Sequence, residues 1–222
     1  MSTTHWPAPL RLYFIRHGET AWSLSGQHTG LTDIPLNARG EDEARQLAPH
    51  LRKVAFDSVL TSPLQRARQT CALVGLEIMA EVAQDLAEWN YGDYDGQRTV
   101  DINQKRADWN LFRDGCPGGE TPAQVSERAD RLIAHLRTLS GNVALFSHGH
   151  FGCVLAARWI GLPIIAGQHF SLDTASFSIL GYAPHHPEVP VITLWNASHA
   201  TFAPWFNNAS ATKDPQTGVE AA

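Results

Sequence analysis

At 222 residues, with 43% hydrophobic and 9% aromatic side chains and no sustained single-residue bias, the chain has the make-up of one globular domain with a sizeable core. Collagen-like and disordered classes are excluded. Its 17 Lys and Arg against 22 Asp and Glu leave a net charge of −5 with no basic run, so nucleic acid and anionic membrane surfaces have no electrostatic basis as partners.

The segment LRLYFI (10–15) reads as a buried strand that passes into a polar, glycine-containing loop, RHGETAWSLSGQHTGLTD. From Glu41 the apolar positions Ala44, Leu47, Ala48 and Leu51 recur at helical spacing. A second strand, FDSVLT (56–61), leads through Ser62 and Pro63 into a helix marked by Leu64, Ala67, Cys71 and Ala72, with Ser62 suited to cap it. Residues from about 85 to 119 are rich in Trp, Gly and Asp without periodicity, which predicts a long loop region with one short helix. A helix bearing Val125, Ala129, Leu132, Ile133 and Leu136 precedes strand NVALFS (142–147) and an apolar helix over about 151–160. Two further strands, 177–183 and 189–196, close the sheet as a hairpin-like pair. The strand–helix alternation predicts an α/β fold with a mostly parallel sheet, as one domain over 1–206 followed by a frayed tail over 207–222.

Three of these strands end in polar residues: Arg16 and His17 after the first, Ser62 and then Arg66 after the second, and Ser147 and His148 after the third. In a parallel sheet such ends share one edge, where ligand crevices form. Arginine forks match phosphate oxygens, and an imidazole serves as nucleophile, acid or base near neutral pH. Two His and two Arg converging there predict a phosphate site. Taken singly, a His-Gly pair is a turn and Arg66 or Arg68 a solvated helix residue; the repetition at successive strand ends is what argues for function.

The motifs RHGET (16–20), TSPLQRARQT (61–70), LAEWNYGDYDG (86–96) and SHGH (147–150) together resemble the histidine phosphatase superfamily, also called phosphoglycerate mutase-like. The resemblance implies a three-layer α/β/α sandwich and a phosphohistidine intermediate. It implies that His17 is the nucleophile, that Arg16 and Arg66 hold the phosphoryl oxygens and that His148 completes the pocket. Glu88 would protonate the leaving oxygen and later activate water. That division suits phosphoryl transfer, which needs charge neutralised on the equatorial oxygens and a proton for the alcohol.

Glu88 and His148 are 60 positions apart with no paired arginines between them, and Ser23 stands where the mutases carry Asn, which resembles the phosphatase branch. Segments 22–36, 86–96, 109–121 and 181–186 are similar to the fungal sedoheptulose-1,7-bisphosphatase subgroup. That similarity implies that Ser23, His28, Thr29, Gly30, Tyr91 and a late histidine such as His185 line the substrate pocket. Gly30 offers either an unencumbered N–H to phosphate or merely a tight turn, and His150 is either a substrate ligand or a helix N-terminal residue. The subgroup's arginine after HGH is Cys153 here, which counts against a bisphosphate; Arg113 is either a replacement cation or a loop ion-pair partner.

The expected function is therefore a metal-independent phosphomonoesterase acting on a small phosphorylated metabolite such as a sugar phosphate or bisphosphate. Mutase-type phosphoryl transfer and a non-catalytic phosphate-binding module are the alternatives. No metal or cofactor is expected: the adjacent His185 and His186 point to opposite faces of a strand and chelate poorly. Cys71, Cys116 and Cys153 have no C-x-x-C spacing and are odd in number, which fits a reducing cytoplasm rather than a disulfide framework. The start of the chain lacks a signal-peptide pattern, and the longest apolar segment, 151–166, is interrupted by Arg158 and Pro163, so no membrane span is expected. Seven tryptophans leave room for an exposed apolar patch, which would suit a homodimer.

Overall fold

A computed structural model describes residues 9–198. The predicted domain end at 206 and the tail over 207–222 lie outside the described residues. Along the chain the elements are β1 (Arg11–Arg16), α1 (Ala21–Ser25), α2 (Ala38–Leu51), β2 (Ser58–Thr61), α3 (Gln65–Val74), β3 (Ala80–Val82), α4 (Thr99–Lys105), α5 (Leu111–Asp114), α6 (Pro122–Leu136), β4 (Asn142–Ser147), α7 (Gly149–Trp159), β5 (Phe177–Ala183) and β6 (His186–Ala197). They build a six-stranded sheet in the order β3-β2-β4-β1-β5-β6. The four strands β3, β2, β4 and β1 are mutually parallel, and β5 runs antiparallel to both its neighbours, β1 and β6.

The two faces of the sheet are apolar because the interiors of its two central strands, LYFI in β1 and VALF in β4, are apolar at every position. In β1, Leu12 and Phe14 join one core with Val143, Leu145 and the buried stripes of α6 and α7. The alternate residues Tyr13 and Ile15 join a second core with Ala144, Phe146 and the stripes of α2 and α3. Successive strand side chains point to opposite faces, so one apolar strand serves both layers. The result is a helix–sheet–helix sandwich. Helix starts follow their capping chemistry: Asn37 accepts from the Gly40 N–H at α2, and Thr121 forms a reciprocal capping box with Gln124 ahead of Pro122 in α6.

Several expectations are corrected. Ser62 does not cap α3: the capping position is Leu64, and the Ser62 hydroxyl instead accepts from the Leu64 N–H, 3.2 Å away, and faces His148. The segment expected to be loop with one short helix holds two, α4 and α5, and β3 lies just before it. β3 was not predicted because three residues, AEV, with no buried side chain carry no periodic signal. Its place at the sheet edge is set by pairing with β2. The last strand begins at His186 rather than 189.

Candidate active site

The C-terminal ends of β1, β2 and β4 lie side by side, with Arg16 opposite Ser147 and Thr61 opposite Phe146. The residues following these strands therefore emerge together. His17, Arg66, His148 and Glu88 are all buried polar groups there. The chain between β1 and α2 folds back on itself: a Cβ on Gly18 would lie 2.2 Å from the Gly40 carbonyl oxygen, so only glycine permits this approach.

His17 is oriented by its own loop. Its Nδ1 lies 2.7 Å from the Gly18 carbonyl oxygen. A carbonyl only accepts, so Nδ1 carries the proton and Nε2 keeps its lone pair. Burial, then the Arg66 and Arg16 guanidiniums, hold the His17 pKa well below the usual imidazole value, so the ring is neutral at pH 7. This is the protonation state of a nucleophile.

Arg66, fully buried, is aimed by four contacts. Its Nε donates to His148 Nδ1 at 3.1 Å, and its terminal nitrogens donate to the carbonyls of Thr29, Gly30 and Thr32. Because His148 Nδ1 accepts, Nε2 bears the hydrogen and donates to Ser62 Oγ at 2.7 Å. The His17 and His148 ring centres are 5.2 Å apart. Burial and Arg66 likewise hold the His148 pKa well down.

Arg16 is different. Its Nη1 donates to the Leu172 carbonyl, but Nε is buried without a hydrogen-bond partner, the only such side-chain atom among the described residues. The guanidinium lies against Gly149, where a Cβ would come within 3.2 Å of Cζ. A buried charged donor without an acceptor is costly. An anion beside His17 would satisfy it.

Glu88 sits at the N-terminus of α7. One carboxylate oxygen accepts from the N–H groups of Trp89 and Phe151, at 2.9 and 2.8 Å, and the other from His150 at 3.1 Å. Orphan amides and the helix dipole make this end a natural seat for a carboxylate.

A cavity of about 310 Å³ opens over this set, lined by Arg16, His17 and Glu88 at its base and by Ser23, Gln27, His28, Thr29, Tyr91, Phe112, His150, Cys153, Gln168 and Phe170 among its walls. Arg66 and His148 are fully buried and do not line the cavity. His28 stacks on Tyr91 with ring centres 4.8 Å apart. The Tyr91 hydroxyl meets His150 Nδ1 at 2.5 Å; burial pushes the phenol pKa well up, so the hydroxyl donates. His28 and His150 are each brought down to about 4, chiefly by burial.

The structure thus brings together His17, Glu88, Arg16, Arg66, His148, His28, Thr29, Tyr91, Ser23 and His150. Gly30 is close but its N–H donates to Asp95 Oδ1 at 2.7 Å, so it is not offered to a phosphate. Its lack of a side chain matters instead because a Cβ would meet Tyr91 and the Trp89 carbonyl at 2.9 and 3.0 Å. His150 lies in the first turn of α7, as one of its two sequence readings has it, and also lines the cavity. His185 is corrected: it lies exposed in the β5–β6 turn. β5 starts beside Ile15 and passes Leu12, so that turn falls at the edge of the sheet opposite the site. Arg113 is an exposed ion-pair partner of Asp114, 2.8 Å away, and is not a cavity-lining residue.

One pair escaped the sequence reading. Arg128 of α6 pairs with Glu120 at 2.8 Å and donates to the carbonyls of Asp85, Ala87 and Glu88, and its guanidinium lies 4.4 Å from the Phe151 ring centre. Glu120 in turn accepts from the Asn90 N–H, and its carbonyl accepts from the Trp89 indole. This clamp fixes the segment that carries Glu88. A signal existed: Arg128 lies three residues after Val125 and four before Leu132, on the buried stripe of its helix.

The family model described as histidine phosphatase superfamily (branch 1) matches residues 12–197. An acid phosphatase of Mycobacterium tuberculosis is 42% identical over 176 residues, spanning 78% of this chain and 86% of the relative. A sedoheptulose 1,7-bisphosphatase of Saccharomyces cerevisiae is 31% identical, spanning 83% and 92%. Among solved structures, an open reading frame product of Mycobacterium tuberculosis superimposes with a TM-score of 0.80 at 37% identity, covering 85% of this chain and 98% of that one.

Proposed function

The chain belongs to the histidine phosphatase superfamily (branch 1), and from that premise we propose that it hydrolyses phosphomonoesters of small metabolites, sugar phosphates among them, through a phosphohistidine. The observation that carries the reading is the neutral, buried His17 with Nδ1 held on the Gly18 carbonyl, beside an Arg16 whose Nε has no partner. His17 Nε2 attacks phosphorus and the bond to the ester oxygen breaks. Glu88, once protonated, passes its proton to the departing alkoxide. Water then attacks the phosphoryl group and gives Glu88 a proton, the N–P bond breaks, and phosphate leaves with His17 neutral again. Arg16 and Arg66 balance charge on the equatorial oxygens, so the chain supplies the required cations itself.

The test is release of phosphate from p-nitrophenyl phosphate and sugar phosphates in the presence of chelator, with a rapid acid-free quench to detect phosphohistidine. Turnover lost in His17→Ala together with the trapped adduct supports the reading. Turnover that survives His17→Ala, or that chelator abolishes, refutes it. Phosphoglycerate isomerisation faster than phosphate release would instead assign mutase chemistry.

A further inference from the structure

Beyond the phosphoryl end, the cavity walls decide which alcohol can be attached to the phosphate. Among the described residues lining it, Arg16 is the only Lys or Arg, and it lies next to His17 in sequence and against Gly149 in space. The outer walls carry His28, Tyr91, Phe112, His150, Cys153 and Gln168. Both histidines titrate at about 4 and so are neutral near pH 7. Because Tyr91 donates to His150 Nδ1, that ring keeps its hydrogen on Nε2. Cys153, whose thiol burial pushes up to about 12, donates its hydrogen to the Phe170 carbonyl. These are neutral hydrogen-bonding groups and ring faces.

Arg113 and Arg106, on the segment around Phe112, do not line the cavity. Both pair with Asp114, and Arg113 also donates to the Asp108 carbonyl. On the other side of Arg16 a second cavity of about 760 Å³ shares Arg16 and Ser23 with the first, and carries Glu19, Asp42, Glu43 and Asp173. Its one further arginine, Arg39, pairs with Glu43 at 3.1 Å and with Glu19 at 3.7 Å. A second anionic group on a bound ester would therefore lose its hydration in one direction without gaining a counter-charge, and in the other meet carboxylates.

We propose that this site selects phosphomonoesters whose alcohol half is uncharged, polyol and sugar monophosphates in particular, and discriminates against esters bearing a second phosphate or a carboxylate. The inference rests on the phosphatase reading above. Neutral donors and acceptors at His28, Tyr91, His150 and Gln168 suit hydroxyl groups, and the ring faces suit the C–H faces of a sugar.

The experiment compares kcat/KM for glycerol 3-phosphate and 3-phosphoglycerate, which differ by a CH₂OH against a carboxylate, and for fructose 1-phosphate and fructose 1,6-bisphosphate, with p-nitrophenyl phosphate as the reporter of the chemistry. In each pair the uncharged ester is expected to be favoured by at least about tenfold. Equal or reversed preference in a protein that turns over p-nitrophenyl phosphate overturns this inference and leaves the phosphatase reading standing. No phosphate from any ester overturns the phosphatase reading, and this inference with it. Gln168→Arg, an exposed position at the cavity rim, should narrow the 3-phosphoglycerate ratio several-fold; a ratio that does not move in the folded variant shows that charge is not the selecting property.

Discussion

Replacing Arg128 by Leu removes the cation of a largely buried pair and three donors to the carbonyls of Asp85, Ala87 and Glu88, while leaving Glu120 in place. Breaking such a pair by deleting one partner costs about 3–5 kcal/mol, because the remaining charge stays buried and uncompensated. For a chain of this size that corresponds to a fall in melting temperature of about 6–20 °C. Activity should report the same clamp in a second way. Arg128 touches no reacting atom; it positions the segment on which Glu88 stands, and misplacement by about 1 Å costs on the order of 100-fold in rate. The loss should be greater for an alkyl phosphate, whose alkoxide needs a proton from Glu88, than for p-nitrophenyl phosphate, whose nitrophenolate leaves unprotonated. Arg128→Lys, which keeps the charge but not the fork, should fall between. Calorimetry and steady-state kinetics on the two esters make the measurement. A melting temperature within 2 °C of wild type, or equal losses on both esters, would refute the reasoning.

Four histidines of the site, His17 and His148 buried and His28 and His150 half-buried, have pKa values lowered by desolvation from the ordinary 6.5, the half-buried two to about 4. Below pH 6.5 the unfolded chain takes up protons that the folded chain refuses, so stability present above that pH should be lost progressively as pH falls towards 4. Chemical denaturation at a series of pH values checks this, and His28→Asn with His150→Asn should flatten the slope. Gly149→Ala places a Cβ about 3.2 Å from the Arg16 Cζ, and should weaken competitive inhibition by phosphate about tenfold while changing the melting temperature little; unchanged inhibition would separate Arg16 from the anion site. Ser62→Ala leaves His148 Nε2–H and the Leu64 N–H without their acceptor, which should cost about 1–3 kcal/mol in denaturant unfolding.

Much of the architecture is legible in the chain itself because its signals are local. Consecutive apolar residues at 12–15 and 143–146 announce strands covered on both faces, and the 3.6-residue stripes at 44–51 and 125–136 announce the helices that cover them. Once strands and helices alternate, helical crossovers make the strands parallel and so put the ends of β1, β2 and β4 on one edge, and the convergence of Arg16, His17, Arg66 and His148 follows from order along the chain. What only the folded structure decides is direction and partnership. His185 lies away from the site because β5 runs antiparallel to β1 and carries the β5–β6 turn to the far edge, a direction that nothing local in the sequence specifies. The Gly30 N–H is taken by Asp95, 65 positions away, and the two nitrogens of His148 are assigned by Arg66 and Ser62, from a different strand end. The Arg128–Glu120 clamp likewise joins α6 to the segment holding Glu88. Hydrogen-bond partners and tautomers are set by distances of a few ångströms between residues remote in sequence, and such distances exist only after the sheet has assembled.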